Sequence, residues 1–347
     1  MIDSNDKNPI EPAQKACRIL AVTLGGLGDA VLFSPNLKAL RRKYPDAEIE
    51  MLLSSRLAES AYRECKEIDS IQVLNTKQEC KFGNALEIIN YAFQSRKNGG
   101  FDIAVFATGL NPIISMLLKY AGNIRSTYKA PGFNPAVKDL SSNVKLAEKF
   151  DTDICQKDVF IPFTEESKNE AERVLKSHHI FLSDIRLIAV YPSKGFWHRP
   201  RWELAKLIEV IRVIKSHGLK ARFVVVGSAE EGKDWEKVDK DRIVDANLAG
   251  KLSILGAASI LKECSLSICN DGGIMHVAGA VNCPLVAIMP NTPYSYHPPG
   301  DKTTIIHSSL SCAINCYPNR PKNCTITKCT DEISSDRVAQ ACLRLLA

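Results

Sequence analysis

The sequence has no run of about 18 or more apolar residues, so no membrane-spanning helix is predicted. Residues 1–16 are polar and proline-bearing, without the apolar core of a secretory signal, and we expect them to form a disordered extension. The excess of one charge over the other is also small, with 45 basic against 39 acidic residues and a formal net charge of +6. That excess is too small and scattered for a nucleic-acid-binding protein but suits an anionic small substrate. We therefore expect a cytoplasmic protein with no nucleic-acid partner.

Two common phosphate-binding fingerprints are missing as well. The turn "LGGLGD" is not a clean G-x-G-x-x-G, because Asp29 stands near the third glycine position, and "VVVGSAEE" lacks a Walker lysine. A dinucleotide-binding protein needs an acidic residue about 20 positions onward, and Glu48 or Glu50 falls there. The aspartate within the turn nevertheless argues against that class. A Rossmann-type protein that is a redox enzyme or a non-catalytic nucleotide binder therefore remains an alternative interpretation.

Cysteine is not scarce, since the chain has 12. In a cytoplasmic protein these side chains are mostly reduced thiols, core residues or metal ligands. Four lie in apolar strand contexts and are expected in the core: Cys17, Cys264, Cys269 and Cys283.

Four further cysteines lie close together near the C-terminus, spaced C-x3-C and C-x4-C: Cys312, Cys316, Cys324 and Cys329. They could form a tetrahedral structural site for zinc or iron, although the spacing is not the C-x2-C of common zinc ribbons. Reduced thiols or disulfides are the alternatives.

Strands alternate with helices in two stretches of similar rhythm, which predicts an α/β fold with parallel sheets. The first stretch opens with a strand at Arg18–Thr23, a glycine turn and a helix through Arg42. The region 126–152 is irregular, after which "IRLIAVYPS" restarts the pattern and "CPLVAIMP" is predicted to be the final strand. Ligands of such sheets bind outside the carboxyl ends of the strands, where each glycine turn lies.

The most informative turn is "CNDGGIMHVAGAV" at 269–281. Gly272 and Gly273 leave backbone amides bare at a helix N-terminus, which suits a phosphate. Asp271 could accept hydrogen bonds from sugar hydroxyls, or it could cap the helix.

These turns, in this order, resemble glycosyltransferase family 9, the ADP-heptose:lipopolysaccharide heptosyltransferases, from about Cys17 to the C-terminus. Two elements carry the resemblance: G-D-x5-P (Gly28, Asp29, Pro35) and D-x-G-x-x-H-x-A (Asp271, Gly273, His276, Ala278). The resemblance implies the GT-B architecture, in which two Rossmann-like parallel-sheet domains face a central cleft. Residues 17–165 would form the acceptor domain. Residues 166–347 would form the nucleotide-sugar domain, with the cysteine-rich tail 312–329 and a final helix.

The resemblance also implies inversion at the transferred sugar, with no catalytic metal and no cofactor. Asp29 would be the general base, and a carboxylate at a turn has the placement that a base needs. Gly26 and Gly28 would let the acceptor approach the backbone. Asp29 could instead be the N-cap of the helix over 30–42.

For the donor, the resemblance implies that Asp271 binds the transferred sugar and that the amides of Gly272 and Gly273 bind the diphosphate. Glu231 would bind the adenosine ribose, with Glu230 one residue away as the alternative register. His276 belongs to the same donor element, or it is a helix histidine with satisfied partners.

The sequence departs from the family at the K-x-W motif, whose lysine neutralises the leaving diphosphate in the family. The corresponding segment is "SKGFWHRPRWEL", in which Lys194, Arg199 or Arg201 would replace that lysine, since arginine can hold phosphate oxygens in a bidentate way. The arginines could instead cover the helix or stack on Trp197 and Trp202. A different nucleotide sugar therefore stays open.

The expected activity is heptose transfer from ADP-heptose to a hydroxyl of a lipopolysaccharide-core or related anionic glycan or glycolipid. The enzyme would be cytoplasmic, with peripheral contact at the cytoplasmic face of the inner membrane. Arg125, Lys129 and Lys138 would suit acceptor phosphates or carboxylates, or they are ordinary exposed side chains. The alternative within enzymes is a glycosyltransferase with a protein or small-molecule acceptor and another nucleotide sugar.

Overall fold

The computed structural model describes residues 18–74, 81–107, 112–121, 124–129, 142–182, 185–193, 201–292, 296–313 and 327–347. Within these residues the strands form one sheet of five strands and one of six. Every strand pair is parallel. The α/β fold predicted from the alternation of strands and helices is therefore confirmed.

The N-terminal sheet has the strand order β3-β2-β1-β4-β5. Its elements are β1 (Arg18–Thr23), α1 (Leu27–Lys43), β2 (Glu48–Leu53), α2 (Arg56–Tyr62), β3 (Ser70–Val73), α3 (Lys81–Lys97), β4 (Ile103–Phe106), α4 (Pro112–Ala121), β5 (Ser126–Lys129) and α5 (Ser142–Ala147).

The C-terminal sheet has the strand order β11-β10-β9-β6-β7-β8. Its elements are α6 (Glu165–Ser177), β6 (Arg186–Tyr191), α7 (Leu204–Ser216), β7 (Ala221–Val225), α8 (Ala229–Val238), β8 (Ala246–Asn247), α9 (Ile254–Glu263), β9 (Leu266–Asn270), α10 (Gly273–Ala280), β10 (Leu285–Ile288), β11 (Thr303–Ile306), α11 (Lys328–Asp331) and α12 (Ser335–Leu346).

Both sheets reverse their strand order next to the strand that starts the unit. The reversal lies between β1 and β4 in one sheet and between β6 and β9 in the other. Ligands of open parallel sheets bind outside the carboxyl ends of the strands at these points. The turns that follow β1 and β9 carry the two predicted motifs, so the topology brings both motifs to binding edges.

Apolar side chains are buried on both faces of each sheet, as expected for parallel strands covered by helices. One cluster of buried side chains includes α1 from the first unit and α9 and α10 from the second, so the core continues across the two units. Cys264, Cys269 and Cys283 are buried, which confirms their predicted place in the core. Cys17 lies outside the described residues.

Two expectations about strands were wrong. β11 follows the strand predicted to be the last and pairs with β10. The region expected to be irregular begins with β5, which pairs with β4 at the edge of the sheet. Both strands have four residues and are only partly buried, so neither has the long apolar run that marks a central strand.

The division of the chain into two domains at 165/166 stays a prediction. No helix among the described residues is both long and apolar enough to cross a bilayer.

Candidate active site

A cavity of about 600 Å³ lies between the two units at the carboxyl edges of their sheets. This volume falls in the range of about 300–1,000 Å³ that holds drug-sized ligands. The N-terminal ends of five helices contribute to its wall: α1, α2, α8, α9 and α10. The predicted residues that line it are Gly26, Gly28, Asp29, Glu231, Asp271, Gly272, Gly273 and His276.

Asp29 occupies the third position of α1, because the helix begins at Leu27 and Gly26 takes the N-cap position. The alternative of Asp29 as the N-cap is therefore wrong. The backbone N–H of Gly26 donates to Asp29 Oδ2 at 2.8 Å. Among the described residues, Oδ1 of the same carboxylate has no hydrogen-bond partner. Asp29 thus lies in the cavity wall with one oxygen fixed and the other available.

Gly25 gives the Asp29 carboxylate its room. A Cβ atom built on Gly25 would lie 2.3 Å from Asp29 Cγ, which no real side chain could tolerate. The carboxylate therefore folds back over the bare backbone of the turn. This contact explains physically why the turn needs glycine at this position.

The first turns of α1 and α10 pack directly against each other across the two units. A Cβ atom on Gly28 would lie 2.5 Å from His276 Cδ2, and one on Gly273 would lie 3.2 Å from Leu27 Cβ. Two helix N-termini, each with a partial positive charge, therefore meet at the cavity floor. Such an arrangement favours an anionic ligand.

His276 is buried with 5% exposure, and its Nδ1 has no hydrogen-bond partner within the described part of the chain. Burial lowers the pKa of His276, while the carboxylates of Asp271 and Asp29 oppose that shift. Burial therefore favours the neutral form of the imidazole. The structure does not supply the satisfied partner that the alternative interpretation of a helix histidine needs.

Asp271 is fixed by two hydroxyl groups. Thr292 Oγ1 donates to Asp271 Oδ2 at 2.5 Å, and Ser193 Oγ donates to the backbone oxygen of Asp271 at 2.7 Å. The N-cap position of α10 belongs to Gly272, so Asp271 is not the cap. A Cβ on Gly272 would lie 2.7 Å from the hydroxyl oxygen of Tyr191, so the strand-end backbone is tightly packed.

Glu231 forms a capping box at the start of α8. Its Oε2 accepts hydrogen bonds from the backbone N–H of Ser228 at 2.7 Å and from Ser228 Oγ at 2.9 Å. Ser228 Oγ in turn accepts from the backbone N–H of Glu231 at 3.3 Å. Glu231 is buried and lines the cavity, whereas Glu230 is exposed and does not belong to the lining.

Arg201 lies behind the cavity wall. Its Nη1 donates to the backbone oxygen of Ser193 at 3.3 Å and lies 3.7 Å from an Asp234 carboxylate oxygen. Trp202 is buried, with its indole N–H donating to the Ile333 backbone oxygen at 2.9 Å. Lys194, Trp197 and Arg199 lie outside the described residues, so which cation faces the diphosphate stays a prediction.

The predicted acceptor cations occupy opposite ends of β5. Arg125 precedes the strand, is 79% exposed at its side chain, and pairs with Asp102 at 3.0 Å. It therefore lies at the amino edge of the sheet, away from the cavity. Lys129 ends the strand at the carboxyl edge, where its Nζ donates to Ser115 Oγ of α4 at 2.8 Å. Lys138 lies outside the described residues.

The predicted cysteine site is only partly covered by the structure. Cys312 is exposed and Cys329 is buried. Cys316 and Cys324 lie outside the described residues. Within the described ranges, no three His, Cys, Asp or Glu side chains converge in a way that could hold a metal.

Several cavity residues were not predicted from the sequence: Ser55, Leu57, Tyr191, Ser193, Leu252, Ser253, Ile254, Ala257, Thr292 and Tyr296. Thr292 follows β10 by four residues, so a search for polar residues just after each predicted strand would have found it. The apolar members carry no comparable signal, because their spacing looks the same as that of core residues.

Two parallel-sheet α/β units with a cleft at their facing carboxyl edges define a protein of the GT-B architecture. The chain belongs to glycosyltransferase family 9 (heptosyltransferase), whose family model matches residues 99–330. It is 25% identical over 315 residues to lipooligosaccharide heptosyltransferase 2 of Haemophilus influenzae. The match covers 83% of this chain and 88% of that protein.

Solved structures show the same fold. A family 9 glycosyltransferase from Veillonella parvula is 20% identical, with a TM-score of 0.74 over 95% of this chain and 97% of that one. The ADP-heptose lipopolysaccharide heptosyltransferase II of E. coli is 17% identical, with a TM-score of 0.66 over 95% and 98% of the two chains. The predicted family and the predicted GT-B fold are therefore confirmed.

Proposed function

We propose that this glycosyltransferase transfers heptose from ADP-heptose to a hydroxyl of a lipopolysaccharide-core acceptor, with inversion at the sugar and Asp29 as general base. One observation carries the proposal: the half-engaged carboxylate of Asp29 lies beside the joined N-termini of α1 and α10 in a single cavity. The names of the relatives, a lipooligosaccharide heptosyltransferase and an ADP-heptose-dependent one, support the donor and acceptor classes.

The donor would occupy the half of the cavity built by the C-terminal unit. Backbone N–H groups at the start of α10 would bind the diphosphate, as helix N-termini commonly do. The Asp271 carboxylate would accept hydrogen bonds from heptose hydroxyls, and Glu231 would accept them from the ribose. Leu252, Ile254 and other apolar residues of the lining would pack against the nucleobase.

Asp29 would act on the acceptor hydroxyl. Its Oδ1 would take the proton as the acceptor oxygen bonds to the anomeric carbon, while the bond from that carbon to the diphosphate oxygen breaks and ADP leaves. The new bond forms on the face opposite ADP, which inverts the configuration. The bond from Gly26 to Oδ2 keeps the carboxylate in position for this step.

The negative charge that develops on the leaving diphosphate needs stabilisation. The amides of the two helix N-termini would supply part of it, and a cation from Lys194, Arg199 or Arg201 would supply the rest. Arg201 donates to the backbone oxygen of Ser193, which lines the cavity, and this contact supports Arg201 as one of the candidates. The catalysis proposed here uses no metal ion.

Two further proposals concern the surroundings of the reaction. The four cysteines at 312–329 would hold a structural zinc or iron ion, as their number and proximity in sequence support. The enzyme would work at the cytoplasmic face of the inner membrane, where a lipid-anchored glycan acceptor is available.

The direct test combines a donor panel with product analysis. ADP-, UDP-, GDP- and CDP-sugars are compared by calorimetry, and the anomeric configuration of any product is determined by NMR. We expect ADP-heptose to bind best and to give the inverted product on a heptose-deficient lipopolysaccharide core. Preference for another nucleotide, or a product with retained configuration, would overturn the proposal.

A further inference from the structure

Large apolar side chains are exposed on two neighbouring helices of the N-terminal unit. Six large hydrophobic residues among those described are more than half exposed, and four of them belong to α3 and α4: Leu86, Phe93, Ile113 and Met116. Leu86 is 69% exposed and Ile113 is 62% exposed. Single exposed hydrophobic residues are ordinary, but a cluster on one surface marks an interaction site. We call these four residues the α3–α4 face.

The α3–α4 face is separate from the surface that holds the helices on the sheet. Ile88, Ala92 and Leu118 point from the same two helices into the core beneath the sheet. The helices also pack against each other. Each helix therefore has apolar residues on two sides, and only one side is needed for folding. This is most marked in α4, where Lys119 is the single charged residue among ten.

Basic residues outnumber acidic ones in the part of the sequence that carries this apolar surface. The stretch 75–141, which contains both helices, has eight lysines and arginines against four acidic residues. Arg96 and Lys97 are exposed at the C-terminal end of α3, and Lys129 is exposed beside the first turns of α4. An apolar surface with cations at its margins is complementary to a bilayer that carries anionic lipids.

The position of the helices relates this surface to the cavity. Helices that connect parallel strands run antiparallel to them, so α4 begins at the carboxyl edge of the sheet, the edge on which the cavity lies. Ile113 and Met116 lie in its first turns. Lys129, which ends β5 at the same edge, bonds to Ser115 between them.

We propose that the α3–α4 face docks on an anionic lipid bilayer and thereby presents the acceptor side of the cavity to a lipid-anchored glycan. The choice of acceptor rests on the function proposed above, whereas the docking itself does not. The four apolar side chains would enter the boundary between headgroups and acyl chains, and the surrounding cations would contact the headgroups. Apolar burial and electrostatic attraction are both required, because either one alone gives weak and reversible binding.

The test is co-sedimentation of the purified protein with vesicles. One set contains phosphatidylcholine alone and the other contains phosphatidylcholine with phosphatidylglycerol, each at low and high salt. The variant is L86Q/F93Q/I113Q/M116Q. The matched control is F181Q/L182Q, which removes two exposed hydrophobic residues that precede β6 in the C-terminal unit. Because all six side chains are exposed, both variants should keep the wild-type melting temperature within a few degrees.

We expect wild-type protein and the F181Q/L182Q control to bind anionic vesicles at low salt at least tenfold better than neutral ones. The quadruple variant should lose at least tenfold of that binding. Equal binding of variant and wild type, or no binding by either, would overturn the proposal. A wild-type dimer that the quadruple variant dissociates, with no vesicle binding, would overturn it in favour of self-association.

Turnover separates this proposal from the proposed function. With a deacylated, water-soluble acceptor, the quadruple variant should keep the wild-type kcat, whereas with acceptor embedded in vesicles it should lose activity in proportion to binding. If the chain transfers no heptose to any core glycan, the proposed function fails while vesicle binding still tests the docking surface.

Discussion

Gly28 and His276 touch across the two units of the protein: a Cβ atom on Gly28 would lie 2.5 Å from His276 Cδ2. Gly28 lies in the first turn of α1 and His276 in the first turn of α10, so this contact joins the turn that carries Asp29 to the turn that follows Asp271. The absent side chain at position 28 is what lets the two turns approach.

Gly28→Ala should therefore destabilise the protein and impair turnover. Overpacking a buried contact typically costs about 1–3 kcal/mol, and the added methyl would push the Asp29 turn away from the donor turn. Urea unfolding and steady-state kinetics measure the two effects. A double-mutant cycle with His276→Ala is the control, because removing the imidazole should relieve much of the penalty. Strict additivity of the two substitutions would show that the contact is not the cause.

Asp29→Asn should leave the fold and donor binding intact and should lower kcat about 10²–10⁴-fold, the usual worth of a general base. The amide is similar in size, and its oxygen can still accept the hydrogen bond from Gly26. Calorimetry with ADP-heptose and a melting curve check the first two expectations. A variant within a few-fold of the wild-type rate would remove Asp29 from the mechanism.

Asp271→Ala should weaken the binding of ADP-heptose much more than the binding of ADP. A hydrogen bond to a charged group contributes about 1.5–3 kcal/mol, so the loss for the sugar nucleotide should be about tenfold to hundredfold. Titration of both ligands measures the difference. Thr292→Val is the matched control, since it removes only the hydroxyl that donates to Asp271 Oδ2 and should give a smaller loss of the same kind. Equal losses for both ligands would indicate a structural role for Asp271.

Acidification should destabilise the fold through a histidine pair near the cavity. His297 and His307 face each other with their Nε2 atoms 2.9 Å apart. Burial, with the neighbouring His307 and His276, lowers the pKa of His297 to about 4, and burial also lowers the pKa of His307. Below an unfolded-state pKa of about 6.5 the unfolded chain binds more protons, so stability should fall from about pH 6.5 towards about pH 4.

Urea unfolding across this pH range measures that slope. His297→Gln, which cannot be protonated, should flatten it without greatly changing stability at neutral pH. A slope unchanged by the substitution would assign the pH dependence to other groups.

The four C-terminal cysteines give a prediction about composition. Protein purified without chelator should contain close to one zinc or iron per chain, and replacing Cys312 and Cys316 by serine should abolish it. Metal analysis of both proteins measures this. No metal in the wild type, together with four titratable thiols in this segment, would contradict the proposal.

EDTA should leave the initial rate of transfer unchanged, because the proposed chemistry uses no metal ion.

The two glycine turns were predictable because each follows a short apolar run and precedes a helical pattern. Asp29 and Asp271 lie in these turns, the role predicted for Asp29 came from the family resemblance, and both residues line the cavity. Thr292 follows a predicted strand and could have been listed as a candidate, but its contact with Asp271, 21 residues away in sequence, is set by the fold. Arg125 was expected near the acceptor because of its charge, but β5 turned out to be a strand whose two ends lie at opposite edges of the sheet.

The burial of α10 has a consequence for how the protein moves. Every residue from Ile274 to Gly279 is buried, and a Cβ on Gly279 would lie 2.2 Å from the Pro299 backbone oxygen. Amide protons of this helix should therefore exchange with solvent only when a large part of the C-terminal unit unfolds. A ligand at the N-terminus of α10 therefore meets a scaffold that does not adjust.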